Sequence, residues 1–261
     1  MLFSGGRARA RRAFDRNVAG DRPGAMEVVG GMGVRRVLGA DVCATGWVGV
    51  ALGGGRPTAY FGADIECLLT DAVQDGPVAV VGVDMPIGLP DHGPRQADLL
   101  AREYVGARRA SVFMTPVRAA IEARTHPEAV RINRGLTGAG VSAQAFALRT
   151  RIREVDAWVR RVSCRVVEVH PEVCFAHMTN RRPLPRKTTW AGAETRRRLL
   201  ADAGIVLTGD LGAAGAAAKV DDVLDAAAAA WTAQRVLEGN AESLPRTPEV
   251  FADRLPCAIW V

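Results

Sequence analysis

Three short apolar runs joined by two tight turns, in "VLGADVCATGWVGVALGGGRPTAYF" from Val37, limit this chain more than any other feature in it. Runs this short, interrupted by "ATG" and "GGG", predict consecutive strands of an antiparallel meander. A helical spacing follows at Ile65, Leu68, Leu69 and Val73 and stops at Gly76. The run "VAVVGVD", residues 78 to 84, then reads as a strand buried on both faces, and Pro86 prevents its ladder from continuing.

Meander, helix and buried strand in that order predict an α/β chain. They form the first half of a ribonuclease-H-like mixed sheet, three antiparallel strands plus parallel strands, flanked by helices. The middle of the chain departs from simple alternation. "PRQADLLAREYVG" predicts a helix, "RTHPEAVRINRGLTGAGVS" a loop with a short helix, and residues 142 to 162 one long amphipathic helix with Ser142 as its N-cap. Residues 91 to 163 are therefore expected to be a helical insertion covering the crevice beyond the strand ends. A strand over 164 to 170, stopped by Pro171, comes next. It is followed by a helix closed by Gly204, a flexible loop over 208 to 218, a helix over 220 to 238 closed by Gly239, and "CAIWV" as a small edge strand.

Of 261 residues, 48% are hydrophobic and 24% charged, ordinary for a globular chain with a real core. The net charge of +6 is unevenly placed: residues 1 to 36 carry eight Arg against Asp15, Asp21 and Glu27, so residues 37 to 261 are close to neutral. Rich in Gly, Ala and Arg without apolar periodicity, residues 1 to 36 are expected to be a disordered basic tail, and residues 37 to 261 one domain. Cys43, Cys67, Cys164, Cys174 and Cys257 are scattered, with no CxxC pair, which indicates neither a disulfide framework nor a zinc site. No apolar run is long enough to span a membrane, and a cytoplasmic location is the expectation.

Acids recur at comparable places. Asp41 ends the first strand, Asp84 the later one, Glu168 lies on "RVVEVH", and Asp222 and Asp225, three apart, share one face where the last long helix opens. Open α/β sheets place ligands beyond the carboxyl ends of their strands. Carboxylates clustered in such a crevice raise one another's pKa and lose solvation, and a divalent cation removes both penalties. Hard oxygen donors favour Mg²⁺ or Mn²⁺, and two such ions can hold a phosphodiester while activating water. Taken singly, each acid also has a plain explanation as a turn cap, an ion-pair partner or a favourable charge at a helix N-terminus.

"GADVCATGW", "GVDMPIGLP", "RQADLLAREYVGARRASVFMTPVR", "VEVHPEVCF", "PRKTTWAGAETRRRLL" and "DDVLDAAAAAWTA" together resemble, in order, the predicted ribonuclease-H-like nuclease family catalogued as domain of unknown function 429. The closing "DxxDA" also resembles the last acidic motif of RuvC-type Holliday-junction resolvases. The resemblance implies Asp41, Asp84, Asp222 and Asp225 as metal ligands, Glu168 as a fifth acid, and Mg²⁺ or Mn²⁺ as cofactor. One departure is that the first predicted helix offers Asp64, Glu66 and Asp71 but no clear counterpart of the ribonuclease H glutamate.

His170, two residues after Glu168, is a candidate proton donor or ligand, against a histidine that only hydrogen-bonds in the turn before Pro171. Arg95 and Arg102, with Asp98 between them, form either an intrahelical ion pair or a phosphate clamp. Arg109 and Lys187 are candidate substrate contacts; the Trp residues and Cys174 are assigned to packing. A nucleic acid or nucleotide substrate is expected. The expected function is a metal-dependent phosphodiester hydrolase. As alternatives, "LGADVCATGW" also resembles the phosphate loop of actin-like ATPases and sugar kinases, and a non-catalytic metal-stabilised binding module fits the near-neutral domain.

Overall fold

The computed structural model describes residues 35–261. The chain runs β1 (Arg36–Cys43), β2 (Gly46–Leu52), β3 (Thr58–Gly62), α1 (Ile65–Gln74) and β4 (Val78–Val83). There follow α2 (Gln96–Val105), a 3-10 helix (Gly106–Ser111), α3 (Arg118–Ile121), α4 (His126–Thr137), α5 (Ala143–Ala147) and α6 (Arg149–Trp158). The chain closes with β5 (Arg165–Val169), α7 (Pro171–Met178), α8 (Trp190–Asp202), α9 (Gly212–Ala217), α10 (Val220–Glu238), β6 (Ser243–Val250) and β7 (Pro256–Trp260).

The strands form one seven-stranded mixed sheet in the order β3-β2-β1-β4-β5-β7-β6. β1, β2 and β3 are the expected meander, closed by the pair Cys43 and Gly46. β4 joins β1 in parallel, β5 joins β4, and β7 joins β5, so the carboxyl ends of these four strands emerge on one side. The expectation of α/β layers with helices on both faces holds. Leu38, Ala40, Val81 and Val83 pack with Ile65, Leu68, Ile152 and Trp158 on one face. Val37, Val80, Val167 and Val169 pack with the alanine run of α10 on the other.

That alanine run fixes the spacing of the second layer. A Cβ at Gly39 would stand 2.0 Å from Ala230 N and 2.1 Å from Ala226 O, and one at Gly82 would stand 2.6 Å from Ala229 O. Helix backbone thus rests directly on sheet backbone, a contact that only glycine in the strands and alanine in the helix permit. Asp225 lies one turn before Ala229 on the same helical face, so this close contact holds it at the strand ends.

Several expectations need correction. Residues 208 to 218 contain α9 rather than only a loop, and 126 to 137 form a three-turn helix held by the Thr125 cap, whose hydroxyl accepts from Glu128 N–H. The helix expected over 142 to 162 is two pieces joined at Leu148, with Ser142 accepting from Ala145 N–H as its N-cap. "CAIWV" is no edge: β7 lies between β5 and β6, and β6 is the unanticipated outer strand. Arg36, assigned to the tail, begins β1, with its guanidinium on Ala72 O (2.6 Å) and the Tyr60 hydroxyl (2.6 Å). The rest of the tail expectation, save Arg35, falls outside the described residues. Among the described residues no helix is long and apolar enough to cross a membrane.

Candidate functional site

β1 and β4 are parallel neighbours with Ala40 opposite Val83, which puts Asp41 level with Asp84 just past the last pair. Asp84 N–H donates to Ala40 O at 3.0 Å, fixing that level. Strand alternation then sends both carboxylates to the face that carries α10. Asp225, 2% exposed, meets them from the first turns of α10. The structure therefore brings together Asp41, Asp84 and Asp225 from three distant parts of the chain.

The cation among them is Lys187. Its ammonium donates to Asp225 Oδ2 at 2.6 Å and stands 4.0 Å from Asp221 Oδ2. The loop that carries it is pinned to the start of α8. Thr189 Oγ1 accepts from Gly192 N–H at 3.1 Å and donates to Arg186 O at 2.8 Å. A Cβ at Gly192 would fall 1.8 Å from Arg186 O, so glycine there lets the loop lie against the helix.

Burial raises Asp84 to about 7 against the pull of Lys187, with Glu172 adding to the rise. Burial also raises Asp225 to about 7, again opposed by Lys187 and reinforced by Asp84. Asp41 is pushed well above the ordinary range by burial, then by Asp84 and Asp225. For Lys187 burial disfavours the charge, yet Asp225, Asp41 and Asp84 outweigh it and hold its pKa above the usual value. Asp225 Oδ1 is buried without a hydrogen-bond partner.

These groups line a cleft of about 430 Å³. Its floor is acidic, its rim carries Arg108, Arg186 and Lys187, and Phe113 and Leu148 from the segment between β4 and β5 form an apolar wall. His170 lines the same cleft, with its Nδ1 buried and unpaired and its pKa lowered by burial, so that its imidazole is neutral at pH 7.

Other predicted residues lie differently. Glu168 pairs in register with Val83, so it faces the side opposite Asp84. Both its oxygens are engaged: Oε1 accepts from Arg95 at 2.6 Å, and Oε2 from Ile87 N–H at 2.7 Å and Arg95 at 2.9 Å. Arg95, 1% exposed, also meets Asp98 at 2.5 Å and the carbonyls of Ile87 and Gly88. It is a buried tie between α2, β5 and the "PIG" turn, with no face left for a phosphate. Arg102 and Arg109 do not line the cleft. Asp222 does, but its Oδ2 caps α10 by accepting from Lys219 N–H at 3.2 Å.

Sequence reasoning missed Glu172, which lines the cleft and binds the fully buried Arg196 at 2.6 Å. An acid just after Pro171 is what a helix N-terminus favours on its own, and nothing nearby in the sequence points to its partner on α8. Trp190, assigned to packing, is 84% exposed.

Among the described residues no three His, Cys, Asp or Glu side chains are gathered closely enough, as they stand, to hold a metal ion. The donor chemistry nonetheless suits one hard divalent cation. Three carboxylates face one cleft, all with raised pKa values, and one of their oxygens is buried and unpartnered. Lys187 supplies one compensating charge where such an ion would supply two.

The model of a protein family described as "Protein of unknown function (DUF429)" matches residues 39–250. No curated protein and no solved structure matches the chain.

Proposed function

The chain belongs to that family, and from this premise we propose that it is a divalent-metal-dependent phosphodiester hydrolase on a ribonuclease-H-like scaffold, using Mg²⁺ or Mn²⁺ on a nucleic acid or nucleotide substrate. The observation that carries this reading is the convergence of Asp41, Asp84 and Asp225 in one cleft, with Asp225 Oδ1 buried and unpartnered. Buried acids of like sign are stable together when they are protonated or when a cation joins them. With Glu168 committed to Arg95 and Asp222 to its helix cap, three acids remain. Beside Lys187 they suit one divalent ion better than the two expected from five acids.

Asp41, Asp84 and Asp225 would hold the ion, which would activate water and neutralise charge at the reacting phosphate. The chain's own groups do the rest. Lys187 keeps a fixed positive charge against Asp225, while Arg108 and Arg186 present guanidinium groups at the mouth of the cleft for phosphate oxygens. Neutral His170 is a proton acceptor within the same cleft. Phe113 and Leu148 offer an apolar surface to a sugar or base and keep bulk water away.

The test is an assay of DNA, RNA, branched and mononucleotide substrates with Mg²⁺ or Mn²⁺, using wild type, Asp84→Asn and Asp225→Asn. Hydrolysis that needs metal and disappears in both variants supports the proposal; no hydrolysis of any substrate overturns it. A second reading, a non-catalytic binding module, is favoured by one specific observation: Lys187 already sits on the acids. It predicts a rise in melting temperature with metal and no turnover.

A further inference from the structure

A second cleft, of about 260 Å³, shares Arg108 and Glu172 as walls with the acidic one. Its other lining includes Tyr104, Arg181, Arg182 and Glu103. Glu172 is spent on Arg196. Among the described residues none of Arg108, Arg181 or Arg182 has a carboxylate within ion-pair distance, so the cleft carries a surplus of positive charge beside the acids. Arg108 donates instead to Leu184 O, which ties the 3-10 helix to the loop that delivers Lys187.

The position of Arg181 is built. Asn180 and Arg181, neither a glycine, stand in the left-handed region at φ 52° and 62°. Asparagine tolerates that region but arginine rarely adopts it, and such strain persists where surrounding bonds enforce it. Here Asn180 N–H donates to His177 O at 3.0 Å and Arg181 N–H to Ala176 O at 2.6 Å. The result lays the guanidinium carbon of Arg181 4.1 Å from the centre of the Tyr104 ring. Tyr104 is itself fixed through its hydroxyl to His177 Nδ1 at 2.9 Å, with the two rings parallel. An exposed guanidinium on an anchored aromatic ring is a flat platform with a positive face, the combination by which proteins hold unpaired bases beside their phosphates.

We propose that this second cleft is a binding subsite for a single-stranded polynucleotide flanking the bond held in the acidic cleft, with a base on the Arg181–Tyr104 platform and phosphates on Arg182 and Arg108. The proposal rests on the hydrolase reading for what lies in the neighbouring cleft, but its own evidence is the platform and the charge. The metal-free full chain is titrated with fluorescent single-stranded DNA and RNA oligonucleotides and with a fluorescent mononucleotide over a range of salt concentrations, for wild type, Arg181→Lys and the double variant Arg181→Ala, Arg182→Ala. Loss of the stacking guanidinium and of one phosphate-facing charge should weaken binding about tenfold or more and make the log–log salt dependence shallower by about 0.7 or more. Arg181→Lys should keep the slope and lose several-fold in affinity, because the charge stays and the stacking plane goes. The DNA and RNA arms show which polymer is held. Unchanged affinity and slope in the double variant, or a wild type that binds an oligonucleotide no better than a mononucleotide, overturns the proposal. Oligonucleotide binding by a protein that hydrolyses nothing would sink the hydrolase and leave the subsite standing.

Discussion

The ammonium of Lys187 lies 2.6 Å from Asp225 Oδ2, while Oδ1 of the same carboxylate is buried with no partner. One side of the carboxylate is thus neutralised and the other is open to a cation. Lys187 and a divalent ion draw on the same three acids, and an ammonium and a divalent cation a few ångströms apart repel by up to about 8 kcal/mol at an intermediate effective dielectric. Lys187→Met should therefore tighten Mn²⁺ binding by about tenfold, after relaxation and screening take their share. Isothermal titration calorimetry measures this directly; weaker binding in the variant would mean that the lysine helps to build the metal site.

The raised carboxylates also make the metal-free protein sensitive to pH. An unfolded Asp releases its proton near pH 4, whereas burial keeps folded Asp225 protonated up to about 7. Between those values the native state binds more protons, so this contribution to stability is complete below about pH 4 and is lost as pH rises through 7. Asp225→Asn removes it. Relative to the variant, wild type should lose at most about 4 kcal/mol between pH 4 and pH 8, read from urea unfolding, and Mn²⁺ at pH 8 should restore most of it. Parallel pH profiles for the two proteins would contradict the assignment.

Arg95 should matter to stability rather than to substrate. It is enclosed by Asp98 and Glu168, both almost fully buried, and Asp98 is further held by Thr115 N–H at 2.7 Å. Arg95→Met leaves two carboxylates in the interior without a counter-ion, which costs about 3–5 kcal/mol when one partner of a buried pair is removed. Chemical denaturation should show that loss, and oligonucleotide affinity should stay close to wild type once the variant is folded. A loss below about 1 kcal/mol would show that the acids protonate or rehydrate at little cost.

Much of this could be read from the sequence because the signals were local. The meander, β4, α1 and α10 each announce themselves by period and turn residues, and Asp41, Asp84 and Asp225 are acids at the ends of such elements. What failed depended on side-chain direction or on distant partners. Glu168 belongs to the right strand, but Val167 and Val169 on either side of it take the α10 face, and alternation sends the acid the other way, to Arg95. Its parity against Asp84 needs the register of two strands separated by more than eighty residues. β6 was missed because "SLPRTPEV" carries two prolines, tolerable only because it is an outer strand.

The glycine in β1 provides the strictest test of how the fold places the site. Gly39 has helix backbone within 2.1 Å of where a Cβ would stand, at Ala226 O and Ala230 N, and neither atom can swing aside as a side-chain tip could. Gly39→Ala must push α10 outward, and Asp225 travels with the helix while Asp41 stays with β1. Overpacking of this kind costs about 1–3 kcal/mol, so the variant should melt earlier and bind Mn²⁺ more weakly. Gly135→Ala is the matched control: it sits inside α4 with nothing within 4 Å of the added carbon. There alanine should stabilise by about 0.5–1 kcal/mol through helix propensity and leave metal affinity unchanged. If Gly39→Ala lowered the melting temperature yet bound Mn²⁺ as well as wild type, the contact of α10 with the sheet would not be what sets the distance between Asp41 and Asp225.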